Sequence, residues 1–111
     1  MNGKNGGLIA HIHELTQAHV AARQEDALLI DRFVRLHEET AFEALMRRHG
    51  PMVFRVCQRV LGQVQDAEDV FQATFLLLSR KASSLRDRGA VGSWLYGVAY
   101  RLARKARTAA Q

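Results

Sequence analysis

Apolar residues recur along this chain every three or four positions, which is the period of an amphipathic helix and not of a strand. The period runs through segments 8–23, 26–37, 41–61, 67–83 and 91–107, and the chain contains a single proline. Such sparse helix breakers favour helices over many short strands. We therefore predict an all-α protein, a compact helical bundle of four to five helices.

Polar residues and breakers predict where these helices begin and end. Thr40 and Glu43 have the spacing of a capping box at the start of the third segment. Pro51 removes an internal hydrogen bond, so a kink or a short break is expected there. Gly62 is predicted to end that helix in a left-handed conformation, and Asp66 to cap the next one.

Basic residues are concentrated toward the end of the chain. Segment 80–111 has eight basic residues and one acidic residue, a net charge of +7, whereas segment 1–79 has eight basic and ten acidic residues, a net charge of −2. A basic end on a slightly acidic body indicates a polyanionic partner on one side of the molecule. No apolar run approaches the roughly 20 residues that cross a bilayer. We therefore expect a cytoplasmic protein without a membrane partner.

The sequence offers little that indicates catalysis. It has no glycine-rich phosphate loop and no metal-ligand spacing. Cys57 lies in an apolar-periodic run and is predicted to be a buried small hydrophobe. His11 and His13 would point about 200° apart on a helix, so they would not share a metal ion. We expect a non-enzymatic protein without catalytic residues, metal or cofactor.

The fourth segment carries a stripe opposite its predicted core face, formed by Asp69, Gln72, Ala73, Leu76 and Arg80. Leu76 is apolar among polar neighbours. One interpretation is a lone exposed leucine, which needs no explanation. The other is a docking stripe for a helix of another protein, with Leu76 as its anchor and Asp69 and Gln72 as hydrogen-bonding groups. Periodicity alone leaves both open.

The last segment separates into a buried and an exposed side. The residues predicted to face the core are Val91, Trp94, Leu95, Val98 and Leu102. The exposed arc holds Tyr96, Tyr100, Arg104 and Arg107, and Arg101 and Lys105 flank the buried stripe. Aromatic rings stack on unpaired bases for about 1–3 kcal/mol each, and guanidinium groups contact phosphates. The pattern predicts a nucleic-acid contact surface, and the alternative is a solvated basic face.

Three stretches of the chain resemble the second region of bacterial sigma factors, above all the small extracytoplasmic-function (ECF) group. They are DRFVRLHEETAFEALMRRHGPMVFRVCQRVLG, DAEDVFQATFLLLSRKAS and GSWLYGVAYRLARKAR. The resemblance covers about 26–107. It divides the chain into a helical N-terminal extension, 1–25, and a region-two domain, 26–108. The family's fourth region has no counterpart here, so we expect an excised domain or a truncated product.

The resemblance implies a transcription initiation domain that binds RNA polymerase and recognises and melts the promoter −10 element. By position, the contacts with the clamp helices of the largest polymerase subunit fall on Asp69, Gln72, Ala73 and Leu76. The contacts with the non-template single strand fall on Arg86, Arg88, Trp94, Tyr96, Tyr100, Arg101, Arg104, Lys105 and Arg107. An anti-sigma factor is a further candidate partner.

Two positions depart from the family pattern. Ala73 replaces a glutamate that is usual there, which weakens one implied polymerase contact. Arg101 stands where many relatives have asparagine, so the family's base preference is not carried over to this chain.

Two other functions remain open. A helix-turn-helix regulator would read duplex DNA in the major groove, and it would prefer duplex over single-stranded sites. A protein-interaction adaptor would have a basic face that is merely solvated, and it would show no salt-dependent binding to DNA.

Overall fold

Four helices follow one another from Gly3 to Ala110. The computed structural model describes residues 3–111, with side chains from Gly6 onward. The helices are α1 (Gly3–Leu36), α2 (Glu39–Leu61), α3 (Val64–Lys81) and α4 (Val91–Ala110), and two short 3-10 turns, Ala82–Ser84 and Arg88–Ala90, lie between α3 and α4. The described residues contain no strand. The predicted all-α bundle is confirmed.

Helix α1 corrects the prediction of two separate helices over 8–23 and 26–37. It is continuous from Gly3 to Leu36. The residues between the two predicted segments are Gln24 and Glu25, which are good helix formers, and neither glycine nor proline interrupts them. The chain leaves the helix at His37, whose backbone φ is 56°.

Helix α2 begins earlier than predicted. Its first residue is Glu39 and its N-cap is Glu38, which makes no side-chain capping hydrogen bond. The predicted capping box of Thr40 and Glu43 is therefore wrong, because Thr40 already lies inside the helix.

The end of α2 and the start of α3 show one prediction confirmed and one corrected. Gly62 has a φ of 83°, and its N–H donates to the Gln58 carbonyl at 2.8 Å. A positive φ costs glycine little, which explains the residue at this turn. Helix α3 starts at Val64, with Gln63 and not Asp66 as its N-cap. Asp66 lies in the first turn instead, where its negative charge interacts favourably with the positive end of the helix dipole.

Pro51 does not break α2, which runs unbroken through it. The buried residue before it, Gly50, packs under the ring of Phe71, and a Cβ at Gly50 would lie 3.5 Å from Phe71 Cζ. Val53, in the same turn, is fully buried. We attribute the continuity of the helix to this packing on both sides of the proline.

Helix α2 is the centre of the bundle and contacts each of the other three helices. The buried core brings together side chains from all four helices: Ile30, Leu45, Val53, Cys57, Phe75, Leu78, Val91, Leu95 and Ala99. Five phenylalanines form a connected cluster across α1, α2 and α3, with ring centroids 4.8 to 6.3 Å apart: Phe33, Phe42, Phe54, Phe71 and Phe75.

The described side chains in the first half of α1 are exposed. Residues 6–22 are all exposed, whereas Asp26 and Ile30 are buried. This change in burial fits the predicted boundary near residue 25, which stays a prediction. The exposed part carries apolar side chains at Leu8, Ile9, Ile12, Leu15 and Val20.

A buried carboxylate joins α1 to α2. The side chain of Asp26 is 6% exposed, and its Oδ1 accepts a hydrogen bond from Arg48 Nε at 2.8 Å. His49 Nε2 donates to Asp26 Oδ2 at 2.9 Å. The His49 ring also lies against the start of α4, because a Cβ at Gly92 would stand 3.1 Å from His49 Cε1. Three helices therefore meet around one aspartate.

Replacing this aspartate is expected to destabilise the fold. Asp26→Asn keeps the shape but removes the charge that two donors share, so we expect the free energy of unfolding to fall by about 1–3 kcal/mol. Urea denaturation followed by circular dichroism measures it. Glu68→Gln, an exposed α3 carboxylate, is the matched control and should change stability by less than about 0.5 kcal/mol. Equal effects of the two substitutions would contradict the role of Asp26.

Cys57 is fully buried, as predicted, and burial raises the pKa of its thiol. The thiolate is the reactive form, so both features slow alkylation. We expect iodoacetamide to modify Cys57 far more slowly in the folded protein than in urea, as followed by mass spectrometry. Similar rates in the two conditions would contradict the packing described here.

Candidate functional site

One face of α3 is exposed along its length and carries the predicted stripe. Asp69, Gln72, Ala73 and Leu76 are all exposed, and Leu76 is 59% exposed. The opposite face is buried through Ala67, Val70, Thr74, Phe75 and Leu78. The predicted orientation of the helix is confirmed.

Leu76 forms one wall of an apolar groove between α2 and α3, with a volume of about 380 Å³. The groove is lined by Phe42, Met46, Phe71, Gln72, Phe75, Leu76 and Ser79. Three of these side chains, Phe42, Phe71 and Phe75, belong to the phenylalanine cluster. Because Leu76 is continuous with an apolar concave surface, the docking interpretation is favoured over that of a lone exposed leucine. Such a groove accommodates the apolar side chains of a helix from a partner protein.

Asp69 lies apart from this groove. It lines a smaller cavity of about 180 Å³ at the N-terminal end of α3, together with Asp66 of the same helix and Arg107 of α4. The stripe therefore starts at a charged end, Asp69, and continues through Gln72 and Ala73 to the apolar side chain of Leu76, beyond which lies Arg80.

A second groove, the α3–α4 groove, separates the end of α3 from α4 and has a volume of about 630 Å³. Its lining residues come from α3, from α4 and from the segment 82–90 that joins them, the connection. They are Leu77, Lys81, Ser84, Leu85, Arg86, Asp87, Ala90, Ser93, Trp94, Val98 and Arg101. Three of the predicted DNA-binding residues, Arg86, Trp94 and Arg101, are thus brought to one site. Trp94 is half-buried, and Arg86 and Arg101 are exposed.

The connection, which contributes lining residues to this groove, is held on α1. Arg23 donates to Asp87 Oδ2 at 2.6 Å, and Arg88 forms an ion pair with Asp31. The backbone also packs closely here, since a Cβ at Gly89 would lie 3.0 Å from the Arg23 carbonyl oxygen. The connection is therefore fixed by contacts at three successive residues.

One predicted DNA-binding residue, Arg88, is engaged in these contacts. Arg88 is half-buried, is paired with Asp31 and does not line the groove. Sequence reasoning missed Arg23 and Asp31 as groups that position the connection. No local signal could have found them, because they lie 64 and 57 positions away from their partners.

The two tyrosines belong to a different part of α4. Tyr96 and Tyr100 are 47% and 42% exposed, and the guanidinium carbon of Arg104 lies 5.8 Å from the centroid of the Tyr100 ring, in cation–π range. Trp94 and Tyr96 point about 200° apart on the helix, and neither tyrosine lines the groove. The predicted nucleic-acid surface therefore has two parts. One is the groove between α3 and α4, and the other is an aromatic face of α4 formed by Tyr96, Tyr100 and Arg104.

The remaining basic residues of α4 are exposed. Arg107 lies near the end of the aromatic face, and Lys105 follows Arg101 one turn later. Among the described residues, no group of three or more His, Cys, Asp and Glu side chains could hold a metal ion. No helix in this part of the chain has the length and apolar character that crossing a membrane requires.

The ion pair on α1 gives a pH-dependent prediction. The hydrogen bond from Arg23 lowers the pKa of Asp87. A lowered pKa means that the pair is intact at neutral pH and is lost as the pH falls through the pKa of the folded state. We expect Arg23→Met to raise the pKa of Asp87 toward its ordinary value, as measured by carboxyl NMR titration.

The matched control is Arg35→Met, an exposed arginine farther along α1. It should leave the titration of Asp87 unchanged. An unchanged pKa in Arg23→Met would contradict the anchoring of the connection on α1.

Comparison with known proteins bears on this arrangement. The family model "Sigma-70 region 2" matches residues 45–111. Two curated relatives, both named "ECF RNA polymerase sigma factor SigM" and from two strains of Mycobacterium tuberculosis, are 34% identical over 85 residues, which is 77% of this chain. The chain spans 36% of the length of these relatives. No solved structure matches it significantly. The matched region contains α3, α4 and most of α2, and the chain belongs to the sigma-70 region 2 family.

Proposed function

We propose that this chain is a transcription initiation domain of the ECF type, which binds RNA polymerase core and recognises and melts the promoter −10 element. The observation that carries the proposal is the presence of two separate surfaces in a member of this family. One is apolar and concave, beside Leu76. The other is basic and aromatic, at α4. The mechanism is binding, without bond-making, so no catalytic residue or cofactor is assigned.

The α3 stripe is the proposed contact with the clamp helices of the largest polymerase subunit. The groove beside Leu76 would receive apolar side chains of those helices. Gln72 at the rim of the groove and Asp69 at the charged end would supply directional hydrogen bonds. Ala73 offers a small surface between them and allows close approach, but it contributes no charge.

The α3–α4 groove and the aromatic face are the proposed contacts with the non-template strand. Flipping a base out of a duplex costs a few kcal/mol. Stacking on aromatic side chains returns about 1–3 kcal/mol per base, and Trp94, Tyr96 and Tyr100 are the exposed or half-buried aromatic groups of α4. The basic residues near them would contact phosphates, which makes affinity fall with salt. They are Arg86, Arg101, Arg104, Lys105 and Arg107.

Arg88 enters this proposal in a different role. Because it is paired with Asp31, it would hold the connection in place for the strand, and phosphate contact would require it to leave that partner.

An anti-sigma factor is the other proposed partner. Such an inhibitor would need to cover the apolar groove beside Leu76 or the α3–α4 groove to compete with polymerase or DNA. We also propose that the protein acts in the cytoplasm, where its partners are.

A helix-turn-helix regulator is less consistent with the structure. That motif joins its two helices by a turn of about three or four residues, whereas α3 and α4 are separated by Ala82 to Ala90 with two 3-10 turns. A comparison of single-stranded with duplex oligonucleotides separates the two functions, because only the helix-turn-helix regulator would prefer duplex DNA.

Truncating the anchor of the α3 stripe should weaken polymerase binding. We expect Leu76→Ala to reduce association with polymerase core about ten-fold, a loss typical of a central interface residue, as measured by a quantitative pull-down. Leu28→Ala is the matched control, because Leu28 is 49% exposed and lies on α1. An equal effect of the two substitutions, or none from either, would sink the docking proposal.

Removing the cation–π pair on α4 should affect DNA and not polymerase. We expect Tyr100→Ala with Arg104→Ala to weaken binding to a −10 non-template oligonucleotide at least ten-fold, since one stacking contact and one phosphate contact are lost. Fluorescence anisotropy at two salt concentrations measures the affinity and its salt slope. Arg35→Ala serves as the charge control on α1. Equal loss of DNA and polymerase binding in the double variant would contradict the division into two surfaces.

A further inference from the structure

Arg101 holds an unusual position in the α3–α4 groove. It lines the groove together with Trp94, and no carboxylate among the described residues lies within ion-pair distance of its guanidinium group. A Cβ placed on Gly97 would stand 3.2 Å from Arg101 Nη1. The guanidinium therefore lies back along α4, over the space that the missing side chain of Gly97 leaves open.

A carboxylate lines the same groove. The Asp87 side chain is 60% exposed, and its Oδ2 accepts a hydrogen bond from Arg23. That bond lowers the pKa of Asp87, so the group is an ionised acceptor at neutral pH. A carboxylate has about four lone-pair positions, so capacity remains for donors that enter the groove. The groove thus offers a planar fork of donors, an aromatic ring and a fixed acceptor.

This set of groups matches one base better than the others. Guanine presents two adjacent acceptors, O6 and N7, that the two parallel N–H groups of an arginine fork bind together. On its other edge, the N1–H and the N2 amino group are both donors, which suits a carboxylate. Adenine presents a donor beside N7, and thymine lacks the O6/N7 pair. Cytosine is the nearest rival, with two acceptors and one amino group.

We propose that the α3–α4 groove selects an unpaired guanine, with Arg101 as the specificity-determining residue and Gly97 as a positioning residue for it. The inference rests on the proposed single-strand binding and adds the identity of the base. The Arg101 fork contacts O6 and N7, Asp87 accepts from the opposite edge, and the ring of Trp94 contacts the base or its sugar. The groove volume of about 630 Å³ lies within the range of small-ligand sites.

The test uses the full chain and short oligothymidine strands that carry one central guanine, adenine, cytosine or thymine, with binding followed by anisotropy at low salt. We expect the guanine strand to bind about ten-fold more tightly than the others, as for one bidentate arginine contact. Replacing guanine with 7-deazaguanine, which lacks the N7 acceptor, should remove most of that preference.

Arg101→Lys should bring the affinity for the guanine strand down to that of the same variant for plain oligothymidine, because lysine keeps the charge but loses the fork. For this variant, 7-deazaguanine should cost nothing further. Arg35→Lys on α1 is the matched control and should keep the preference. Gly97→Ala should reduce the guanine preference while the helix stays folded, since alanine is the better helix former; circular dichroism checks the fold.

Different results would contradict single-strand binding and the selection of guanine. If no strand binds with salt dependence, the proposed single-strand function fails and the base assignment fails with it. If all four strands bind equally, or cytosine is preferred, or Arg101→Lys keeps the preference for guanine, only the guanine assignment is overturned.

Discussion

The buried carboxylate of Asp26 is the interaction on which the arrangement of this domain depends. It binds two side chains of α2, Arg48 and His49, at 2.8 and 2.9 Å, and His49 in turn packs against the start of α4 at Gly92. A buried charge is tolerated only when it is paired and hydrogen-bonded. The register of α1 against α2 is therefore strongly constrained, and the position of α1 decides where the rest of the site lies.

Helix α1 affects the proposed DNA-binding site because it positions the connection between α3 and α4. Arg23 and Asp31 of α1 hold Asp87 and Arg88, so a helix to which no polymerase or DNA contact is assigned fixes the connection that lines the α3–α4 groove. A fixed connection loses less conformational entropy when a strand binds than a mobile one would. The apolar groove beside Leu76 is likewise supported from behind, by the phenylalanine cluster that joins α1, α2 and α3. Both proposed surfaces therefore depend on the same core.

Periodicity predicted the faces of α3 and α4 well, because burial along a single amphipathic helix follows from its own sequence. Leu76 and Tyr100 are exposed and Leu95 is buried, as the helical spacing indicated. Local signals did less well at the helix ends, where Thr40 and Asp66 lie inside helices that begin before them. The contacts of Asp26 that join α1 to α2 had no local signal, because Arg48 and His49 lie more than 20 positions away from it.

The same limit applies to the site. Periodicity placed Trp94 on the core side of α4 and Tyr100 on its exposed arc, and only the family resemblance implied that both contact DNA. The structure assigns Trp94 to a groove that includes α3 and the connection. A groove between elements is a tertiary feature, so a single helix pattern could not predict it. The neighbourhood of Gly97 and Arg101 could have been inferred from their four-residue spacing, but the carboxylate of Asp87 in the same groove could not.

We propose that this one small domain binds polymerase and single-stranded DNA at the same time, on separate surfaces. The most direct measurement mixes the chain, polymerase core and a labelled −10 non-template oligonucleotide, and resolves the complexes by size with a distinct label on each component. We expect a single complex that contains all three components. The oligonucleotide should bind this complex more tightly than it binds polymerase core in the absence of the chain. Displacement of the oligonucleotide from the chain by polymerase would show that the two partners share one surface, and it would contradict the account.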